Sequence, residues 1–394
     1  MARFRACRLT ASGDSPSRTW TTGWRCALPT SRINMSLKTF GKKSYIGLDL
    51  GAKGIKAMQM ERTGNGYRVT RTAFIQTPPD SIKDGSVIDP EAVGLAVRQM
   101  MREQRISATN AVVGVAGASV IVRTVRIPKM PESTLRKSIK FEASRYVPSS
   151  IEDSFIEFEI MGEASDGQMD VLIVAAPRDI VESRLKACQI AGLEVDIVDV
   201  EAFAMYRSLV ETNVGPYNEE TIALVDVGAQ TTNVSVVSCG IFGMTRSINQ
   251  GGQVLTDALK SHFKLEDAEA ELGKSQLDLR ALIAEQKVQE SPPLRVLQPH
   301  LDDLIREIRR SLNYYQSQQT EHGTPTPVTR VLLAGGGANL PGLAEYMAHK
   351  LGLTVDRHGI YDAEVVHAPA DNQSTGIELA VVGGLAMRPH VRAA

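Results

Sequence analysis

The chain has 394 residues, 43% of them hydrophobic, enough to bury a sizeable core in two domains or more. A formal net charge of −1 points to neither nucleic acid nor strongly acidic ligands, and no apolar run approaches the ~18 residues that span a bilayer. The four cysteines, Cys7, Cys26, Cys188 and Cys239, show no metal or redox spacing and the seven histidines no ligand spacing, so a reduced, cytosolic chain without a His or Cys metal site is the default. The small net charge conceals an asymmetry, because residues 1–43 carry nine basic residues against Asp14 alone, which leaves −9 for the remainder.

The first 34 residues are rich in Arg, Ser and Thr and hold both tryptophans, Trp20 and Trp24, without an apolar period to support a packed element. Their composition mimics a transit peptide, but Met35-Ser36-Leu37-Lys38 stands just ahead of the first strand, and a misassigned start is the simpler reading. Residues 1–43 are expected to be a disordered tail. The stretch Tyr45-Ile46-Gly47-Leu48-Asp49-Leu50 is an apolar strand that breaks at Gly51-Ala52-Lys53-Gly54 and resumes as an alternating strand to Met60. A hairpin tip of this kind offers backbone N–H groups where a phosphate could sit, although Asp-x-Gly alone is ordinary turn chemistry.

Tyr67 to Thr70 reads as a further strand, Glu91 to Arg105 as a helix with Val93, Ala96, Val97, Met100 and Met101 facing the core, and Ala111 to Gly117 as a buried strand. A β-α-β-β unit follows. Its first strand is Ser119 to Pro128, and Pro131 opens a helix with Leu135, Ile139, Ala143 and Tyr146 on one face. The strands Phe155 to Ile160 and Val171 to Ala176 complete it. The basic residues of that helix, Arg136, Lys137, Lys140 and Arg145, read first as a solvated face. Arg178 to Gly192 is a helix ending at glycine, and Leu193 to Val200 is a strand leading into Glu201-Ala202-Phe203-Ala204-Met205-Tyr206.

Leu224 to Val236 then repeats the first hairpin, with Asp226, Gly228, Ala229, Gln230, Thr231 and Thr232 at its tip. Gln250-Gly251-Gly252 opens another helix, and Glu271 and Lys274 form an i, i+3 acid–base pair, which on a bare surface is worth a few tenths of a kcal/mol. Residues 275–295 are polar with Pro292-Pro293 and are expected to form a mobile loop. Leu301, Leu304, Ile305, Ile308, Leu312 and Tyr315 stripe a long amphipathic helix, and Glu321 to Pro327 is a linker. A third motif is the strand Val331 to Ala334 running into Gly335-Gly336-Gly337, where glycines admit a flat or charged ligand to the backbone. Gly376 to Met387 closes the chain as a helix whose Ala380, Gly383, Gly384 and Ala386 suit close packing.

Two phosphate-type hairpins and a later glycine turn, in this order over roughly 290 residues, are far more specific together than singly. They resemble the ATPase superfamily of actin, Hsp70 and sugar kinases. That resemblance implies an α/β, duplicated ribonuclease H-like fold of two lobes around a nucleotide cleft. It implies ATP with Mg²⁺, the ion held by Asp49 and Asp226 largely through its waters, Lys56 on the β- and γ-phosphates, and backbone donors around Gly51, Ala52, Lys53 and Gly228 to Thr232. It further places Gly251 and Gly252 near the phosphates, Glu271 and Lys274 at the ribose and adenine, and Gly335, Gly336 and Gly337 at the adenosine. Glu201 stands at the cleft floor as a candidate catalytic residue, with a helix-capping role as the alternative. Ala52 stands where actin has a hydroxyl, Ala229-Gln230 where Hsp70 has Gly-Gly, and Asn233 where Hsp70 has Asp, so binding is expected and efficient hydrolysis does not follow.

The run Arg123-Thr124-Val125-Arg126-Ile127-Pro128 with Glu142-Ala143-Ser144-Arg145-Tyr146-Val147-Pro148 and Glu152-Asp153-Ser154-Phe155 resembles the inserted subdomain of the PilM family, actin-like type IV pilus assembly proteins related to FtsA. The resemblance covers residues 44–390. It implies subdomain 1A in 44–121, 179–212 and 375–390, an FtsA-like insert 1C in 122–178, subdomain 2A in 213–256 and 326–374, and 2B in 257–325. It implies a cytoplasmic, ATP-binding scaffold without a membrane span, brought to the inner-membrane platform by the N-terminal segment of PilN, and it leaves self-association into rings or filaments open. That peptide is expected between subdomain 1A and the insert, with Phe141 and Tyr146 as anchors or, equally, as core. Among rivals, a metabolite kinase lacks a spare, well-placed acidic base, an FtsA lacks its amphipathic tail after Arg388-Pro389-His390, and an Hsp70 lacks its peptide-binding domain.

Overall fold

The computed structural model describes residues 24–25, 44–146, 150–164, 167–213, 217, 220–238, 240–284, 291–319, 326–369 and 376–390. Within the amino-terminal tail these include only β1 (Trp24–Arg25). The first half then runs through β2 (Tyr45–Leu50), β3 (Gly54–Thr63), β4 (Gly66–Gln76), the short ribbon β5 (Ile82–Lys83) and β6 (Ser86–Val87), α1 (Pro90–Glu103) and β7 (Asn110–Val115). It continues with β8 (Ile121–Pro128), α2 (Glu132–Ala143), β9 (Ser154–Glu163), β10 (Gln168–Pro177), α3 (Arg178–Ala191), β11 (Glu194–Val200) and α4 (Glu201–Tyr206). The second half holds β12 (Thr221–Val227), β13 (Thr232–Ser238), β14 (Ile241–Ile248), α5 (Gly252–Phe263), α6 (Asp267–Ser275) and α7 (Pro292–Gln319). It ends with β15 (Arg330–Ala334), α8 (Leu343–Leu351), β16 (Thr354–Arg357), β17 (Val366–His367) and α9 (Ala380–Met387).

The duplication read from the two hairpins is visible in the sheets. In the first, β4, β3 and β2 pair antiparallel and β2, β7 and β11 parallel; in the second, β14, β13 and β12 pair antiparallel and β12, β15 and β16 parallel. The parallel strands β7 and β15 are nearly continuous apolar runs, as strands covered on both faces must be, and nearly all of their residues are buried. The edge of the first sheet carries β1, with Trp24 opposite Val198 and Arg25 opposite Ile197. The first 34 residues thus hold one short paired element where composition predicted none.

Helix α9 is buried on every side and packs within the first half, against β2 and α4. It can do so because Gly384 leaves no space for a Cβ against the Ala204 carbonyl, and Gly47 of β2 leaves none against the backbone of Ala386. Residues 121–177 form a separate three-stranded sheet in the order β8-β10-β9, covered by α2 through Leu135, Ile139 and Ala143, with its own core around Phe158, Val171 and Ile173. This insert also touches the second half, where Thr124 Oγ1 donates to the Phe242 carbonyl at 3.0 Å.

The segment 275–295 departs from the mobile loop expected of it. Leu279 and Leu282 are buried in a 3₁₀ turn, and the Leu279 N–H donates to the Pro341 carbonyl at 2.8 Å. Helix α7 begins at Pro292, since two prolines at a helix start forgo hydrogen bonds that would be unmade there anyway. Two leucines in a polar stretch have no period, which is why the sequence did not show them as core. Residues 285–290, and 321–325 of the Glu321 to Pro327 linker, lie outside the described residues, as do Val147 and Pro148 of the insert motif and Cys239.

Candidate functional site

The two hairpin turns face each other across a cleft of about 800 Å³ between the halves. In the first, Asp49 and Lys56 are cross-strand partners, and Lys56 Nζ reaches Asp49 Oδ2 at 3.0 Å. Gly51 sits so close to the returning strand that a Cβ would lie 2.8 Å from the Gly54 carbonyl oxygen. Thr77 Oγ1 donates to the Gly51 carbonyl at 2.7 Å and ties the turn to the end of β4.

In the second hairpin, the carbonyls of Gly228 and Ala229 accept from the Gly252 and Gln253 N–H groups at 2.9 and 2.8 Å, so α5 begins directly behind the turn. A trans peptide points its N–H opposite to its carbonyl, which directs the Ala229 and Gln230 N–H groups away from α5, on the side where these residues line the cleft. Gly251 is required here because a Cβ would lie 2.6 Å from both carbonyl oxygens. Gly251 and Gly252 therefore support the turn from behind and do not line the cleft. Thr232 is buried likewise, its hydroxyl donating to the Gln250 carbonyl at 2.7 Å.

The third motif joins the second hairpin from the side. Gly335 adopts φ +91°, and its N–H donates to the Ile377 carbonyl at 3.0 Å. A side chain there would run into Asp226 and Val227, so this turn needs glycine for both conformation and space. Gly336 is exposed in the cleft, whereas Gly337 packs on Val227 behind it.

Lys53 and α6 close the mouth of the cleft, with Lys53 Nζ 3.1 Å from Asp267 Oδ2 and 4.0 Å from Glu271 Oε2. Glu271 lines the cleft, but its partner Lys274 is buried beneath, donating to Thr256 Oγ1 and Glu271 Oε2 at 2.8 Å and to the Gly252 carbonyl at 3.2 Å. The structure places Lys274 as a strut between α6 and α5, not on the cleft wall where an adenine could stack on it. Burial opposes the charge on Glu271, yet the hydrogen bonds from Lys274 and Thr256 hold its carboxyl below the ordinary glutamate value.

Glu201 opens α4 at the cleft floor, where Gly114 makes room for it: a Cβ on Gly114 would lie 2.7 Å from Glu201 Cγ. Burial, then the charge of Asp49, pushes the Glu201 carboxyl up to about 8, and burial pushes Asp226 up to about 6 against the pull of Lys56. Burial would lower Lys56, but Asp49, with Asp226 and Glu201 behind it, holds its ammonium above the ordinary lysine value. Three carboxyl groups thus crowd around Lys56, with the buried Arg184 as the only other cation acting on Glu201 among the described residues, and the raised values of Glu201 and Asp226 mark a shortage of positive charge. A hydrated divalent cation fits that shortage. Among the described residues no three His, Cys, Asp or Glu side chains gather to hold a metal ion.

Sequence reasoning passed over several cleft residues. Arg184, 2% exposed, spans the wall by donating to the carbonyls of Gly114 and Gly85 at 2.9 and 2.7 Å, and burial holds its guanidinium below the usual arginine value. Asn339 and Glu378 also line the cleft, joined at 3.2 Å, and Phe74 stands 63% exposed at its side. Arg184, Glu378 and Phe74 belong to no local motif, whereas Asn339 ends the glycine-turn segment that begins at Val331. In the insert, Tyr146 packs on the subdomain core with the Arg123 guanidinium 4.9 Å from its ring centre, whereas Phe141 projects outward, 67% exposed.

Comparison with known proteins agrees with this geometry. The family model described as type IV pilus assembly protein PilM matches residues 47–390. The structure of a PilM-PilN type IV pilus biogenesis complex superposes with a TM-score of 0.74 at 26% identity, covering 88% of this chain and 98% of that one. The cell division protein FtsA of Streptococcus pneumoniae is 22% identical over 353 residues, 79% of this chain and 74% of FtsA. The ethanolamine utilization protein EutJ from Carboxydothermus hydrogenoformans, at 18% identity and a TM-score of 0.50, covers 88% of this chain and 90% of its own. The architecture is the α/β actin-like ATPase fold, and among the described residues no helix is long and apolar enough to cross a membrane.

Proposed function

The chain belongs to the PilM family of type IV pilus assembly proteins, and from that premise we propose that it is an ATP-binding scaffold of the pilus machine, held at the inner membrane by a PilN-like partner. The observation that carries the nucleotide half of this reading is the convergence of both hairpin turns and the Gly335-Gly336 turn on one cleft. Asp49 and Asp226 would hold the cation of Mg-ATP through its waters, and Lys56 and the Ala229 and Gln230 N–H groups would neutralise the phosphates. Magnesium supplies charge compensation when bound. The chain's own groups bind, orient and exclude water, and Ala52, Ala229-Gln230 and Asn233 stand where the stronger ATPases carry a hydroxyl, a glycine pair and an acid. Binding with weak or no hydrolysis follows.

The partner half rests on the solved PilM-PilN complex, the similarity that spans nearly the whole of both chains. A short extended peptide from PilN would lie between the first sheet and the insert, where Tyr146 supplies an aromatic wall. Self-association into rings or filaments belongs to the same proposal, since a scaffold works by multiple contacts. Fluorescence anisotropy with a labelled N-terminal peptide of PilN tests it directly: saturable binding that is lost when residues 122–178 are replaced by a short linker supports the reading, and equal affinity after that replacement removes the insert from the site.

A further inference from the structure

We propose that the outer face of α2 is a contact surface for an anionic lipid bilayer. The inner stripe of this helix, Leu135, Ile139 and Ala143, is buried on the insert sheet. The opposite side carries Lys137, Lys140, Phe141 and, just beyond the last turn, Arg145, all exposed. Their spacing of three, four and eight residues from Lys137 puts them on one side of the helix axis. Phe141 is 67% exposed, and the Arg145 guanidinium lies 5.6 Å from its ring centre. The acidic residues beside this face are engaged: Glu142, largely buried, pairs with Arg145 at 3.7 Å, and Glu132 pairs with Arg136 at 2.8 Å. Lys137 and Lys140 have no acidic partner among the described residues.

Charge and shape select the occupant. Two lysines without acidic partners beside one projecting aromatic ring match an anionic, planar interface, where the ring enters the headgroup region and the lysine stems extend laterally to the phosphates. An acidic peptide would need a groove or a free strand edge, and no residue of α2 lines either the cleft between the hairpins or the pocket beside α5 and α7. The remainder of the chain beyond the tail carries −9, so an anionic surface repels most of the molecule and turns this face toward itself. The contact is weak alone and gains from a second tether, because a chain already held at the membrane meets lipid at high effective concentration.

The test places a reporter on the face itself, because the basic tail could also hold vesicles. Trp20 and Trp24 are the two tryptophans of the chain, so F141W in a chain carrying W20F and W24F makes position 141 the sole tryptophan. Its emission should shift to the blue with phosphatidylglycerol-rich vesicles, be quenched by brominated lipid and stay unchanged with phosphatidylcholine. Adding K137E and K140E should weaken that response more than tenfold, at roughly fivefold for each lysine, with the melting temperature unaltered. The proposal is overturned by an unshifted emission while the chain sediments with vesicles, by an equal shift with neutral lipid, by insensitivity to the charge reversals, or by an equal response to polyglutamate.

Discussion

Lys53 and Asp267 stand 214 residues apart in sequence and 3.1 Å apart across the mouth of the cleft. Lys260 reaches the other oxygen of the same carboxylate at 3.1 Å, and the two lysines hold Asp267 below the ordinary aspartate value. Pairs this exposed contribute about 0–1 kcal/mol, so stability is not their consequence. The contact instead joins the first hairpin to α6 over the space a nucleotide would occupy. K53A should change the melting temperature by less than about 2 °C and speed nucleotide release several-fold in stopped-flow displacement. An unchanged release rate would remove Lys53 from the gate.

The carboxyl groups of the cleft predict a pH dependence with a definite sign. Glu201, raised to about 8 in the fold, releases its proton near ~4.3 when unfolded. Between those values the folded chain binds a proton that the unfolded chain has lost, so stability falls as pH rises through the window. Asp226, raised to about 6, adds to the lower part of the same slope. Urea denaturation without nucleotide should give a lower midpoint at about pH 8 than at about pH 5, and E201Q should flatten most of that difference. A slope that persists in E201Q would place its origin outside the cleft floor.

Deeper in the first half, Asp199 is fully buried and accepts from Arg207 Nη1 at 3.0 Å, with Arg388 Nε at 3.8 Å. Arg207 lies in a π-helical turn directly after α4, and it also donates to the Gly384 carbonyl of α9 at 2.8 Å. D199A would remove this carboxylate from Arg207 and Arg388 and should cost about 3–5 kcal/mol in chemical denaturation. A loss below about 1 kcal/mol would mean that water compensates them.

Packing at the α4–α9 crossing is equally specific. G384A should destabilise by about 1–3 kcal/mol, because its methyl group would overlap the Ala204 carbonyl and force the helices apart. G273A, where the surroundings are open, should be neutral or stabilising on the same measurement, since alanine favours the helix. Equal effects at the two positions would contradict the packing described.

Much of the fold was legible because its signals are local. An apolar strand broken by Asp-x-Gly reads as a hairpin from a dozen residues, and two of them in one chain imply a duplication; the stripe of Leu135, Ile139 and Ala143 likewise announces a helix on a sheet. What escaped notice depends on residues distant in sequence. Arg184 is an ordinary helix residue until β7 and the Gly85 turn come within reach of it. Lys274 was legible as half of a pair with Glu271, but only the approach of α5 buries it away from the cleft. Leu279 and Leu282 needed the turn at Pro341, ahead of α8, to become core.

The most direct test of the central claim is isothermal titration of the full chain with Mg-ATP. Saturable binding at one site should appear, weakened at least tenfold by K56A and by D226N with the folded state retained, as measured by circular dichroism. Absence of any binding heat at millimolar Mg-ATP, or binding indifferent to both substitutions, would contradict a nucleotide site between the two hairpins.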